Sequence, residues 1–333
     1  MSENELRRER GVLAAEPPPG WAAVREAAGS PAEDRPPEGT RTLMAFRGAE
    51  AVARLGMGVR SGFAGAPGVT GFVGWYEAAD GEAGAELLRQ AAADLFGSGA
   101  ERVVGPLNGS TWARYRLALS REVGIGDGAP FLSEPVNPPK YAEHFEAAGY
   151  RPHLEYESRI VRDPRPDPGL IPAAARLADR GVGIGGIDMQ RYEEEIRSIH
   201  DLSLLAFARH PYYTPIGFAD FSAMYTAIRP LVDPALIRLA RDAEGRLLGY
   251  VFAYSDPLAR GRRIVLKTLA SHPAARGLGL GGLLTDAGHR VAAERGQPVI
   301  HALMHLANLS ENISRRSESA HFRSYRLYVA ERP

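Results

Sequence analysis

The sequence predicts an α/β protein made of two tandem halves in which strands and helices follow the same order. Three observations carry this reading. The chain has 333 residues, more than one hydrophobic core usually serves, so two domains are expected. A stretch with three prolines, RDPRPDPG at 162–169, fits neither a helix nor a central strand and marks the boundary. Strand-like and helix-like segments then alternate on both sides of it. The expected division is a Pro-rich tail at 1–38, a first domain at 39–162 and a second at 170–333.

Taken in order, residues 1–38 are rich in charge and proline, including Pro17–Pro19 and Pro36–Pro37, and read as a tail that is mobile or draped on the surface. In the first domain TGFVGWYEA is strand-like, AGAELLRQAAADLF helical, ERVVGPL strand-like, YAEHFEAAGY helical and LEYESRIV strand-like again. In the second, RYEEEIRSIHDLSLLAF (191–207) repeats Tyr192, Ile196, Ile199, Leu202 and Leu205 at helical spacing. ALIRLARD and LLGYVFAY flank turn residues Asp242, Glu244 and Gly245 as a hairpin would, and RRIVLKTLA forms a third strand. Leu280, Leu283, Leu284, Ala287 and Val291 line one helix face, and Gly296 can end that helix. PVIHALMHL, a short polar segment and FRSYRLYVA complete the chain. The two endings, YRPHLEYESRIV and HFRSYRLYVA, resemble each other and indicate a divergent duplication.

Composition narrows the functions. Forty Lys and Arg balance forty Asp and Glu, so no overall field draws the chain to nucleic acid, and DNA is not an expected partner. The absence of cysteine excludes disulfides, thiolate metal sites and a cysteine acyl-enzyme, and suits a cytoplasmic location. No apolar h-region follows MSENELRRER, and no window approaches the roughly 20 apolar residues of a membrane span.

The most informative segment is RGLGLGG, 276–282. Gly277, Gly279 and Gly282 fit the dinucleotide pattern G-x-G-x-x-G, while Arg276, Gly279 and Gly281 fit R-x-x-G-x-G, an acyl-coenzyme A pattern; either places a pyrophosphate on amides at a helix start. The dinucleotide pattern requires the turn directly after a first strand and an acidic residue about 20 positions on. Here SHPAAR intervenes, and the next strand ends in His305 and Asn308. The acyl-CoA pattern survives. The counterpart in the first half, AADGEAGAE (78–86), lacks it.

VLKTLASHPAARGLGLGGLLTDAGHRVAAERG resembles the central motif of the GCN5-related N-acetyltransferase superfamily: strand, R-x-x-G-x-G turn, helix. The resemblance covers about 185–330; residues 41–160 share only the order of elements and phrases such as EHFEAAGY, as a degenerate copy would. It implies two tandem domains, each a mixed, mostly antiparallel sheet flanked by helices, with two central strands splayed around the pantetheine arm of acetyl-CoA or another acyl-CoA. The main chain of Leu269 and Ser271 would meet the pantetheine amides. That of Leu278, Gly279, Leu280, Gly281 and Gly282 would hold the diphosphate, with Gly277 shaping the turn and Arg276 adding a charge. Asn308 resembles the asparagine that follows the next strand in many members.

The implied reaction is attack of an amine on a thioester, which needs a base for the amine and benefits from an acid at the thiolate. His272, at the end of the central strand, is the best-placed base. Many members draw the acid from a tyrosine in the helix after the asparagine, and ENISRRSESAHFRS contains none. Ser317 or Tyr325 would replace it, or the thiolate leaves unassisted. His301 and His305 share one strand face but, four strand residues apart, lie too far from each other to hold one metal, and no metal site is expected. FARHPYYTPIGFADF (207–221) reads as a substrate lid or as core packing. GPLNGSTWARYR (105–116) reads as a turn before a helix that Asn108 or Ser110 would cap. The expected function is acetyl-CoA-dependent N-acylation of a small-molecule amine, with the first half walling the acceptor cleft. The alternatives are an aminoacyl-tRNA donor, held by Arg315, Arg316, Arg323 and Arg326, and a CoA-binding protein without catalysis.

Overall fold

The computed structural model describes residues 6–12, 18–28, 35–119, 128–306 and 309–332. The first half runs β1 (Leu6–Val12), α1 (Trp21–Ala27), β2 (Arg41–Arg47), β3 (Glu50–Phe63), β4 (Ala66–Ala78), α2 (Gly81–Gly97), β5 (Arg102–Gly105), β6 (Leu117–Ala118), α3 (Tyr141–Ala147) and β7 (Arg151–Val161). The second runs α4 (Ile171–Ala178), β8 (Gly183–Gly186), α5 (Tyr192–Phe207), α6 (Phe218–Ile228), β9 (Ile237–Arg241), β10 (Leu247–Ser255), β11 (Ile264–Ser271), α7 (Leu280–Glu294), β12 (Val299–His305), α8 (Leu309–Arg316) and β13 (Ala320–Glu331). Periodicity placed the strands and helices of the motif region correctly. It missed β1, α1, β2, β3, β6, α4, β8, α6 and α8.

All strands join one sheet, in the order β1-β2-β3-β4-β5-β13-β7-β12-β11-β10-β9-β8, with β6 paired to β13. Only the β4–β5 and β11–β12 pairs are parallel. The halves exchange their final strands. β13 pairs with β5 of the first half, and β7 pairs with β12 of the second. Core composition follows the exchange: Tyr328 and Ala330 of β13 pack beneath α2 with Leu87, Leu88 and Phe145. Ile160 of β7 packs with α5, and Val161 with the α7 core. The break at 162–169 thus separates two segments of chain but not two sheets.

The expected tail is partly built into the fold. β1 adds an edge strand to β2, and its charged side chains reach the body, as in the Arg10–Asp94 pair at 2.7 Å; charge on an edge strand discourages further pairing. Trp21 and Val24 of α1 are buried, with the Arg54 guanidinium stacked over the Trp21 ring. Among the described residues no helix is long and apolar enough to cross a membrane.

Candidate active site

A fork opens between β11 and β12. They pair only at Ile264↔Val299, Val265↔Ile300 and Leu266↔His301, although β11 continues to Ser271 and β12 to His305. On the other side of β11, Phe252 pairs with Thr268 and Ala253 with Leu266. Lys267 is therefore an extra, bulged residue at the point of divergence, and such a bulge re-aims a side chain. The His272 amide donates to Leu248 O at 2.8 Å. In an antiparallel pair alternate residues face the partner, so Ala270 and Thr268 also turn their main chain to β10. Leu269 and Ser271 turn theirs into the fork, where no strand lies beyond Leu266. Across the fork, Leu303 has a left-handed backbone (φ 57) and its amide donates to Ser158 Oγ at 2.9 Å.

The glycine turn sits beside the fork. Gly277 and Gly279 have φ of 79° and 85°, which only glycine adopts without strain. The first intrahelical bond of α7 runs from the Leu283 amide to Gly279 O, so the amides of Leu280, Gly281 and Gly282 precede it, and no side chain caps them. The Arg276 side chain is exposed and forms no ion pair among the described residues. A Cβ on Gly281 would stand 3.2 Å from Ile313 Cδ1 and 3.7 Å from Leu269 Cδ2, at the mouth of the fork. Gly279 and Gly282 serve a different contact. Their added Cβ atoms would meet Ala173 Cβ at 2.7 Å and Leu170 Cδ2 at 2.9 Å, so these glycines let α4 and the residue before it lie close against α7. Asn308 lies outside the described residues.

Within the fork is a cavity of about 650 Å³. It is walled by the diverging strands with Tyr250 and Phe252 of β10, by the α5–α6 connection with α6, and by the first-half segment Thr111–Tyr115, with Ser133, Thr285 and Ile313 completing the lining. Both aromatic stretches noted in the sequence therefore line one cavity. The α5–α6 connection is tied to the first half by the Tyr212 amide on Ala64 O (2.9 Å) and by the 2.6 Å contact of Tyr212 Oη with His153 Nε2. Residues 105–116 form no helix; Asn108 and Ser110 instead bond the amides of Trp75 (2.8 Å) and Trp112 (3.0 Å).

Lys267 lines the cavity, partly exposed to it, and has no hydrogen bond or ion pair among the described residues. Desolvation and then Arg116 hold its ammonium down to about 7, with Glu134 opposing. Tyr213 also lines the cavity, and its buried hydroxyl has no hydrogen-bond partner among the described residues. Burial pushes that phenol up to about 12. Desolvation lowers His210 to about 4, and lowers His305 with a further contribution from Arg116. Among the described residues no Asp or Glu lines the cavity. Sequence patterns could not single out Lys267 or Tyr213, because a bulge and a loop contact place them.

The three side chains expected as acid or base lie elsewhere. His272 Nδ1 accepts from the Ala274 amide at 3.1 Å, capping a 3₁₀ turn at 273–275, so that lone pair is occupied. Ser317 Oγ donates back to Ile313 O at 3.3 Å. Tyr325, 1 % exposed, donates to Glu134 Oε1 at 2.5 Å and sits 3.0 Å from Ser158 Oγ, and burial raises its phenol well above 10. None of them lines the cavity. His301 and His305 do not share a strand face, since the register slips between His301 and Met304. His301 bonds His289 and Ser314, each at 2.8 Å, while His305 meets Tyr156 edge to face at 5.0 Å. No metal-capable cluster of three or more residues occurs among the described residues. Arg323 is buried against Glu134, and Arg326 pairs with Glu155, which removes two of the four arginines from any outward RNA-facing patch.

The first half contains the same fork, closed. β4 and β5 pair only from Thr70↔Arg102 to Phe72↔Val104, and β4 carries one extra residue opposite Arg54–Gly56. Here the Leu107 amide donates to Val73 O, and Asn108 Oδ1 accepts from the Trp75 amide, each at 2.8 Å. The start of α2 is occupied as well: Asp80 accepts from the Ala83 amide at 2.9 Å and pairs with Arg47 at 2.5 Å. A carboxylate at that position repels a phosphate.

No protein-family model matches the sequence, and no curated protein matches it. Solved structures do. A GCN5-related glucosamine N-acetyltransferase region of a fungal multi-domain GH3 β-N-acetylglucosaminidase superposes with a TM-score of 0.55 at 14% identity, over 98% of this chain and 38% of that one. The present chain therefore spans well under half of that protein. A GCN5-related N-acetyltransferase from Sphaerobacter thermophilus gives 0.53 at 16% identity, covering 98% and 96% of the two chains. A tandem GNAT protein from the clavulanic acid biosynthesis pathway gives 0.52 at 15%, covering 98% of each. At these identities the likeness is one of fold, and it embraces both halves: this chain has the fold of the GCN5-related N-acetyltransferases, in its tandem arrangement.

Proposed function

We propose that the protein is an N-acyltransferase that takes an acyl group, acetyl in the first instance, from acyl-CoA bound at the second fork and transfers it to a small-molecule amine in the adjoining cavity. One contrast carries this reading. Among the described residues the second half gives the inner edge of β11 and the first amides of α7 no protein partner, whereas the first half fills its fork with Leu107 and Asn108 and caps its helix with Asp80. Buried main-chain groups without partners are costly. The main chain of Leu269 and Ser271 would pair with the pantetheine amides. The amides of Leu278 to Gly282, with Arg276, would hold the diphosphate.

In the reaction the amine nitrogen forms a bond to the thioester carbonyl carbon, the C–S bond breaks, the nitrogen loses a proton and the thiolate gains one. Tyr213 is suited to supply the thiolate's proton, because its hydroxyl is buried, unpaired and fully protonated at neutral pH. A cavity bearing Lys267 and no carboxylate disfavours an ammonium, so the amine is favoured in its reactive neutral form. His210 and His305 stay neutral near pH 7 and offer lone pairs to the departing proton.

Calorimetric titration with acetyl-CoA tests the donor. One site per chain is expected, with affinity lowered by Arg276→Ala. Two sites, no binding, or indifference to Arg276→Ala would overturn the assignment. Release of free thiol from acetyl-CoA upon addition of amine then separates an enzyme from a protein that only binds CoA.

A further inference from the structure

The cavity also constrains what is acylated. Resting on the acyltransfer reading above, we infer that the acceptor is an aromatic or flat apolar amine bearing a single acidic group that pairs with Lys267, and not a polycationic amine.

The walls supply the apolar half of this inference. Trp112, Phe207, Tyr213, Tyr225, Tyr250 and Phe252 all face the cavity. Trp112 is fixed by donating Nε1–H to Thr214 O at 2.9 Å and by edge contact with Phe221 at 5.6 Å. Rigid rings of this kind recognise flat ligands at low entropic cost.

Charge supplies the other half. Lys267 brings three donors to the fork and finds no acceptor among the described residues. The carboxylate that influences it, Glu134, is already committed: it is 4 % exposed, accepts from Tyr325 Oη and the Phe131 amide, and pairs with Arg323. The other described groups around Lys267 are cationic or neutral. Arg116 stacks on Tyr115 and Tyr156 at 4.0 and 4.3 Å, Arg114 lines the wall, and His210, His301 and His305 are held neutral by burial. The phenols of Tyr213, Tyr225 and Tyr250 stay protonated. A polyamine or aminoglycoside would place further ammonium groups there with no carboxylate among the described lining residues to receive them, an uncompensated desolvation. An acceptor carboxylate, by contrast, gives Lys267 a charge-assisted hydrogen bond.

The test uses the full chain and a matched series: L-phenylalanine and 4-aminobenzoate, the amide of each, and spermidine. Binding without donor is read from tryptophan fluorescence and calorimetry, and acylation from thiol release with acetyl-CoA. The acids should bind at least tenfold more tightly than their amides, and spermidine should not bind. Lys267→Met should erase the difference between acid and amide, and Lys267→Arg should retain part of it, which guards against a misfolded variant. Tighter binding of spermidine, failure of both acids to bind at millimolar concentration, or an unchanged acid-to-amide ratio in Lys267→Met would overturn the inference. Because acetyl-CoA affinity is measured separately, loss of donor binding would count against the acyltransfer reading and not against the acceptor class.

Discussion

Tyr213 and His301 show how single residues divide between chemistry and stability. Removing the buried, unpaired hydroxyl of Tyr213 deletes an unsatisfied group, so Tyr213→Phe should leave the unfolding midpoint unchanged or raise it. If the phenol is the acid, kcat falls about 10²- to 10⁴-fold while the affinity for acetyl-CoA holds; an unaltered kcat would remove it from the mechanism. His301 is 3 % exposed, and burial, then His289 and Arg159, hold its imidazole down to about 3. The unfolded chain takes up a proton near pH 6.5 that the folded protein refuses, so this contribution to stability is complete above pH 6.5 and is lost as pH falls towards 3. The slope is about 1.4 kcal/mol per pH unit at most. Urea unfolding between pH 7 and pH 5 should show it, and His301→Gln should flatten it. At this scale the sequence was least legible. The R-x-x-G-x-G residues announce a turn by composition, but Lys267 owes its place to a one-residue slip between β10 and β11, and the His272 Nδ1 lone pair goes to a turn cap that pattern does not foretell.

Among the elements, strand and helix periodicity revealed β4, α2, β9 to β11 and α7, because each buries one face. The closing of the first fork was hidden, since it depends on a side-chain bond from Asn108 to a strand 33 residues away. Asn108→Ala leaves the Trp75 amide buried without an acceptor and should cost about 1–3 kcal/mol in chemical denaturation. It should not create a second acetyl-CoA site, because Asp80 still occupies the start of α2. Glycine substitutions in the turn need care for a related reason. A Cβ on Gly279 would stand 2.7 Å from Ala173 Cβ, so any side chain there disturbs α4 packing as well as ligand binding. Arg276→Ala, at an exposed position, separates the two effects.

For the whole molecule, the exchange of β7 and β13 decides what can stand alone. A fragment of residues 170–333 lacks β7, which pairs with both β12 and β13, and its β13 has no β5. It should be poorly soluble or non-cooperative in thermal unfolding, whereas co-expressed 1–169 and 170–333 should associate and recover acetyl-CoA binding. A 170–333 fragment that folds cooperatively as a monomer would contradict this. The duplication itself was legible from the matching endings of the two halves, but which sheet each ending joins is a property of long-range pairing that local pattern does not encode. The exchange also sets a timetable. β13 leaves the ribosome after every strand it joins, so the first half, although translated first, waits for the final strand before Tyr328 and Ala330 can close its core. Vectorial synthesis cannot finish one half and then begin the other; until the message has been read through β13, both remain open together, and an early stop codon near residue 320 would damage the first half as surely as the second.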